Sequence, residues 1–327
     1  MMLASMTEQT ESRKQRAARR AGEFPPAPAP LPQPVPDSHT HLDITISEAG
    51  VPPRPTPTAP GYGVGADGGP AAEPIHTAVD PRSAVDPIQA AVEAAAEVGV
   101  DRLVQVGVDV DSSRWGAEVA QRSPAVVATV ALHPNEAPRL AELDEALRVV
   151  ESLAGQDRVR GVGETGMDFF RTGEQGRAAQ ELSFRAHIDI AKRYGRTLVV
   201  HDREAHDDVL RILDDEGAPE TVVMHCFSGD AEFARACVRR GYLLSFAGTV
   251  TFSSAAALRE AAAVTPLDHL LVETDAPYLT PVPHRGRPNA SYLIPLTVRT
   301  LAVTTGSDLD ELCAALSRTG ERAFGPW

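Results

Sequence analysis

RLVQVGVDVDSSRWGAEVAQRSPAVVATVALHP, residues 102–134, reads as strand, helix, strand. Its apolar runs RLVQVGV (102–108) and VVATVAL (126–132) are valine-rich. They are nearly continuous, as parallel strands buried on both faces are. The segment between them, 113–121, has helical period. Working outward, the unit recurs: VRGVGE (159–164), TLVVHD (197–202), TVVMHC (221–226), YLLSFAG (242–248) and HLLVET (269–274) follow, and VPDSH (35–39) precedes. Segments of helical period lie between them at 86–98, 140–154, 177–194, 205–216, 230–240 and 254–263, with 291–303 and 308–318 after the last strand. Eight strands alternating with helices predict an α/β protein, a (β/α)8 TIM barrel with its site at the C-terminal ends of the strands. The rival is an open doubly wound sheet. It lacks its Gly-rich fingerprint here, because GVGETG follows the fourth strand and has no matching acid on a second strand.

The 327 residues carry 31 Lys+Arg and 45 Asp+Glu, a net charge of −14, and are 43% hydrophobic. No apolar run reaches the roughly 18 residues of a membrane helix. Three unclustered cysteines, Cys226, Cys237 and Cys313, read as reduced thiols of a cytoplasmic chain. The acidic balance argues against coating long nucleic acid by charge, though not against a nuclease that grips a short piece. Only two of the bases are lysines, Lys14 and Lys192, which nearly excludes Schiff-base chemistry and a lysine-derived metal bridge. Residues 1–34, basic and then Pro-rich (EFPPAPAPLPQPVP), predict a disordered tail; no apolar segment follows Arg19-Arg20, so they do not read as an export signal. Residues 35–327 then form the barrel domain, interrupted by a second Pro/Gly-rich stretch at about 50–74. Both stretches are expected to be dispensable for the fold.

The polar residues fall in a pattern. Asp37, His39 and His41 end the first strand, Glu164 the fourth, His201 the fifth and His225 the sixth, and Asp275 follows the eighth. All lie on the rim where barrel enzymes keep their sites. His39 and His41, two apart on a strand, point the same way and can chelate one ion. Four imidazoles and two carboxylates on one rim suit one or two divalent metals, and Mg, Mn and Zn all remain open.

DSHTHLD (37–43), VGETGMDF (162–169), VVHDR (199–203), MHCFSG (224–229) and VETDAPYLTP (272–281) with RGRPN (285–289) resemble the TatD-type metal-dependent deoxyribonucleases of the amidohydrolase-like barrel superfamily. The resemblance implies that His39, His41 and Asp275 bind one ion, that His201 and His225 bind a second, and that Glu164 bridges them. Asp275 and Glu164 then form the catalytic pair, with Asp275 the proton acceptor from the attacking water or, alternatively, a ligand only. Ser291 and Thr319 depart from the family pattern, which has proline and asparagine there.

Other residues carry weaker expectations. Arg203, His133 (in LHPNE), Arg285 and Arg287 are expected to contact substrate, the arginines by gripping phosphate. Glu273 is placed to orient a ligand or water, Asp168 to orient groups of the fourth strand, and Cys226 to face the core away from His225. His187 reads as structural. The function expected is two-metal hydrolysis of nucleic-acid phosphodiesters, chiefly trimming of single-stranded or end-accessible DNA, with no membrane and no obligate protein partner. The alternative is a hydrolase of the same metal class acting on a small amide, ester or lactone; a catalytically dead binding module would require lost ligands, and all six positions are filled.

Overall fold

Eight parallel strands pair in chain order: β1 (Val35–Thr40), β2 (Val100–Val106), β3 (Val126–Val130), β4 (Val159–Asp168), β5 (Thr197–Arg203), β6 (Val222–Met224), β7 (Leu243–Phe246) and β8 (Leu270–Val272). The structure is a computed structural model describing residues 22–50 and 86–327. Apart from Gly50, the Pro/Gly-rich stretch expected at about 50–74 lies outside the described residues. The first and last strands close the ring through a bridge between Thr40 and Ala276 and the bonds His41 N–H to Ala276 O (2.9 Å) and Asp275 N–H to His39 O (2.9 Å). Asp37 belongs to this seam. Its buried carboxylate accepts from the Thr274 N–H (2.9 Å) and hydroxyl (2.6 Å), and burial pushes its pKa up to about 7.

Nine helices of the described residues cover the barrel: α1 (Pro87–Ala96), α2 (Val110–Arg122), α3 (Leu143–Ala154), α4 (Glu174–Tyr194), α5 (His206–Glu216), α6 (Ala231–Arg239), α7 (Ala256–Val264), α8 (Ile294–Thr305) and α9 (Leu309–Phe324). Local chemistry sets their ends. Asp109 with Ser112 forms a capping box on α2, and Asp230 and Asp308 cap α6 and α9 through side-chain oxygens. One apolar layer lies between strands and helices. A second, holding Val104, Val127, Val199, Val223, Leu243 and Leu271, fills the barrel and is plugged by Phe324, with Trp327 against it. Lys192 is occupied at an exposed helix end, where its Nζ donates to Glu216 O (2.7 Å). Among the described residues no helix is long and apolar enough to cross a membrane.

Of the tail expected to be disordered, residues 22–34 run down the outside of the barrel from rim to base. Leu31 is buried, and its N–H bonds Val98 O (3.0 Å). Arg299 donates to Pro30 O (2.9 Å), the Tyr292 hydroxyl to Pro25 O, and the Arg287 guanidinium to the carbonyls of Glu23 and Phe24. A proline-rich strand lacks N–H groups to pair with a sheet, so its carbonyls take donors from α8 and the loop before it. Ser291, one of the two departures, is buried in that turn, and Thr319 is buried on α9.

His187, on α4, is structural as expected. Its Nε2 accepts the Leu132 N–H (3.0 Å), its Nδ1–H donates to Ser183 O (2.6 Å), and burial lowers its pKa to about 4. The folded chain therefore resists a proton that the unfolded chain accepts near 6.5. This contribution to stability is complete above pH 6.5 and is lost as the pH falls towards 4. His187→Gln is expected to be less stable than the parent at pH 7, with the gap closing by about 2 kcal/mol at pH 5. Urea unfolding at both pH values checks this; a gap independent of pH contradicts it.

Candidate metal centre

Glu164 reaches the middle of the barrel mouth because β4 runs tight against β5. Gly163 and Gly166, both at positive φ, bracket it, and a side chain at either would collide with the Val199 or His201 carbonyl. One carboxylate oxygen, Oε1, lies 3.8 Å from both His39 Nε2 and His41 Nε2; the other, Oε2, lies 3.1 Å from His225 Nε2 and 3.2 Å from His201 Nδ1. Asp275 Oδ1 is 3.4 Å from His41 Nε2 and 3.8 Å from His39 Nε2. The six residues expected to hold metal thus come together at the mouth, whereas Asp37 stays in the β1–β8 seam.

The ring partners decide which nitrogens are free. His41 Nδ1 sits 3.2 Å from Val106 O and must donate there, leaving the Nε2 lone pair to face Glu164 and Asp275. His225 Nδ1 is 2.9 Å from Glu273 Oε1, and His201 Nε2 is 3.3 Å from Asp168 Oδ2; each carboxylate holds the ring so that its other nitrogen faces Glu164. His39 is fully buried with neither nitrogen hydrogen-bonded, an arrangement that is costly unless a ligand completes it. His/carboxylate donors of this kind suit a divalent cation, so the residues fit the metal that the sequence implies.

His133 differs. Its Nδ1 accepts the Asn135 N–H (3.0 Å), so the proton is on Nε2, which points at Glu164 Oε2 from 3.9 Å. It lies within the cluster as a hydrogen-bond donor rather than as an electron-pair donor.

The electrostatics follow the same division. Burial holds the His39 and His133 imidazoles neutral, His133 with a pKa of about 4. For His201 burial opposes charge, but Asp168 and Glu164 outweigh it and raise the pKa to about 9; Glu273 and Glu164 do the same for His225. Burial likewise opposes a charge on Glu164, yet the surrounding imidazoles keep its carboxyl well below the usual range. Protons thus occupy places that cations would take, and binding cations would release them.

Several expectations change in detail. Asp168 orients His201 of the fifth strand, not groups of its own strand, and is itself held by Asn135 Nδ2 (2.9 Å). Cys226 does not face the core: β6 ends at Met224, a positive φ (43°) at Cys226 turns the chain, and its N–H donates to Glu273 Oε1 (3.0 Å). Arg287, expected at a phosphate lip, donates from its guanidinium to the carbonyls of residues 23 and 24. Arg203 and Arg285 are exposed on the rim, stacked on Phe170 (4.1 Å) and Phe252 (4.0 Å). The polarity pattern could not reveal Asn135, but LHPNE lies on the rim loop where such a residue is sought.

A (β/α)8 barrel with this histidine–carboxylate cluster at its mouth has the make-up of a metal-dependent hydrolase. The profile of the TatD related DNases matches residues 74–325, and the chain belongs to that family. His39 and His41 precede the matched range, separated from it by the inserted stretch, and the structure returns them to the barrel at the end of β1. An uncharacterized metal-dependent hydrolase TatD of Mycobacterium tuberculosis is 45% identical over 256 residues, covering 76% of this chain and 96% of that protein. The 3'-5' ssDNA/RNA exonuclease TatD of Citrobacter rodentium is 33% identical over 236 residues, covering 69% and 88%. Among solved structures, YJJV, a TatD homologue of Escherichia coli K12, superposes with a TM-score of 0.69 at 27% identity, over 73% of this chain and 92% of that one.

Proposed function

We propose that this hydrolase trims nucleic-acid ends, most readily those of single-stranded DNA, with His39, His41, Glu164, His201, His225 and Asp275 holding two divalent cations. The observation that carries the reading is the placement of Glu164, one oxygen towards His39 and His41 and the other towards His201 and His225. Cations held there would supply Lewis acidity towards a phosphodiester and activate water at neutral pH. Asp275, with His201 the most open of the six, accepts the proton of the attacking water. His133 Nε2–H donates to a phosphoryl oxygen. Val106 O, Asp168 and Glu273 keep the ligating rings in register. The nucleic-acid substrate is supported by the name of the Citrobacter relative and by the rim arginines Arg203 and Arg285.

Charge favours ends over long duplexes. Five of the bases and only three of the acids precede Asp37, so the barrel is more negative than the whole chain and repels a polyanion. With two rim arginines on phosphate, the log–log salt slope of single-strand affinity is expected near roughly −1.5, at ~0.7 per contact. End-labelled linear DNA, circular single-stranded DNA and an aryl ester, each incubated with Mg or Mn and with chelator, test the reading. Linear DNA should shorten from its end, only with metal, while the circle survives and the ester turns over slowly. Equal cutting of circle and line, or preference for the ester, contradicts it; the latter would favour the small-molecule alternative.

A further inference from the structure

We infer that Phe170, backed by Arg203, and Tyr278 form two stacking platforms on either side of the metal centre, taking the bases that flank the scissile phosphate of a single strand; this rests on the nuclease reading above. The chain is only 5% aromatic, yet it leaves these two rings in water at 59% and 48% exposure. The third exposed aromatic among the described residues, Tyr194, ends α4, away from the mouth. Phe170 lies two residues beyond Asp168, which orients His201. Tyr278 lies three beyond Asp275, and its ring meets that of His41 edge-on at 6.5 Å. Phe170 follows the rim end of β4 and Tyr278 follows Ala276, which bridges Thr40 at the end of β1, so both rings stand on the rim that carries the cluster.

The chemistry of each platform differs. The Arg203 guanidinium covers one face of Phe170 at 4.1 Å, an arrangement that keeps the ring upright and places a cation beside whatever stacks there. A base has a π-face whatever its identity, so such platforms bind single strands with little sequence preference. They also bind without adding to the salt slope, which a barrel of this charge requires. A duplex cannot offer unstacked bases to both rings; a strand end can.

The test is a cycle between protein and substrate. Single-stranded oligonucleotides, intact or with an abasic residue on one side of the cut, are assayed with Mn under single turnover. The enzymes are the parent, Phe170→Ala, Tyr278→Ala and Tyr278→Phe. Each lost stack is expected to weaken apparent affinity about tenfold. An alanine variant should lose nothing further on the oligonucleotide abasic at its own position, while still losing about tenfold for the other. Tyr278→Phe, which keeps the ring, should behave as the parent. A parent indifferent to abasic positions, or losses that multiply at every pairing, overturns the platforms and leaves the nuclease reading standing. A parent that cleaves no oligonucleotide overturns that reading and the platforms with it.

Discussion

Glu164→Gln is expected to empty the centre: the metal content of the purified chain, about two ions in the parent on a two-metal reading, falls near zero, and turnover drops by more than about a hundredfold. Losing one outer partner of a metal site already costs 10–100-fold, and here the lost charge faces both pairs of histidines at 3.1 to 3.8 Å. Glutamine keeps the size of the side chain, so the fold should survive. His225→Ala is the informative contrast. It removes one ring from the Oε2 side and leaves His39, His41 and Asp275 in place, so about one ion should remain. Elemental analysis of the two variants beside the parent decides the matter. Full occupancy in Glu164→Gln would remove the shared role of this carboxylate.

The second large effect concerns the proline-rich segment. Leu31→Ala deletes a buried side chain packed into the main apolar layer, a change that costs about 2–4 kcal/mol. For a domain of this size that lowers the thermal midpoint by roughly 5–10 °C. Removing residues 1–34 should cost at least as much, because the Tyr292 hydroxyl, Arg287 and Arg299 lose their carbonyl partners as well. Thermal denaturation followed by circular dichroism measures both. Midpoints within a degree or two of the parent would bear out the expectation of a dispensable tail instead.

The packing of residues 22–34 was not legible in the sequence for a physical reason. Pro-rich sequence has the same composition whether it wanders in water or lies along a surface as an extended strand. What fixes it here are donors more than 250 positions away, at Arg287, Tyr292 and Arg299, which no local pattern can show. Arg287 is the same case: its position in RGRPN says rim, and its bonds to the carbonyls of Glu23 and Phe24 have no local signal. Cys226 shows a different failure. Strand alternation predicts an outward thiol only while the strand lasts, and β6 ends two residues earlier.

The centre itself was legible because a barrel converts sequence order into geometry. Each apolar run ends at the same rim, so the polar residue closing it must face its counterparts. His39, His41, Glu164, His201, His225 and Asp275 could be read from that rule. The carboxylates that aim the rings could be read only as polar neighbours, since Asp168 and Glu273 act across to other strands. Nor does polarity distinguish His133 from a ligand; the N–H of Asn135 on its Nδ1 does.

The central claim is that one carboxylate serves two cations. Crystals grown with Mn, with an anomalous difference map recorded at the manganese edge, test it most directly. Two peaks are expected, one beside His39 and His41 and one beside His201 and His225, with Glu164 in contact with both. A single peak, or two peaks of which only one touches Glu164, would contradict the account.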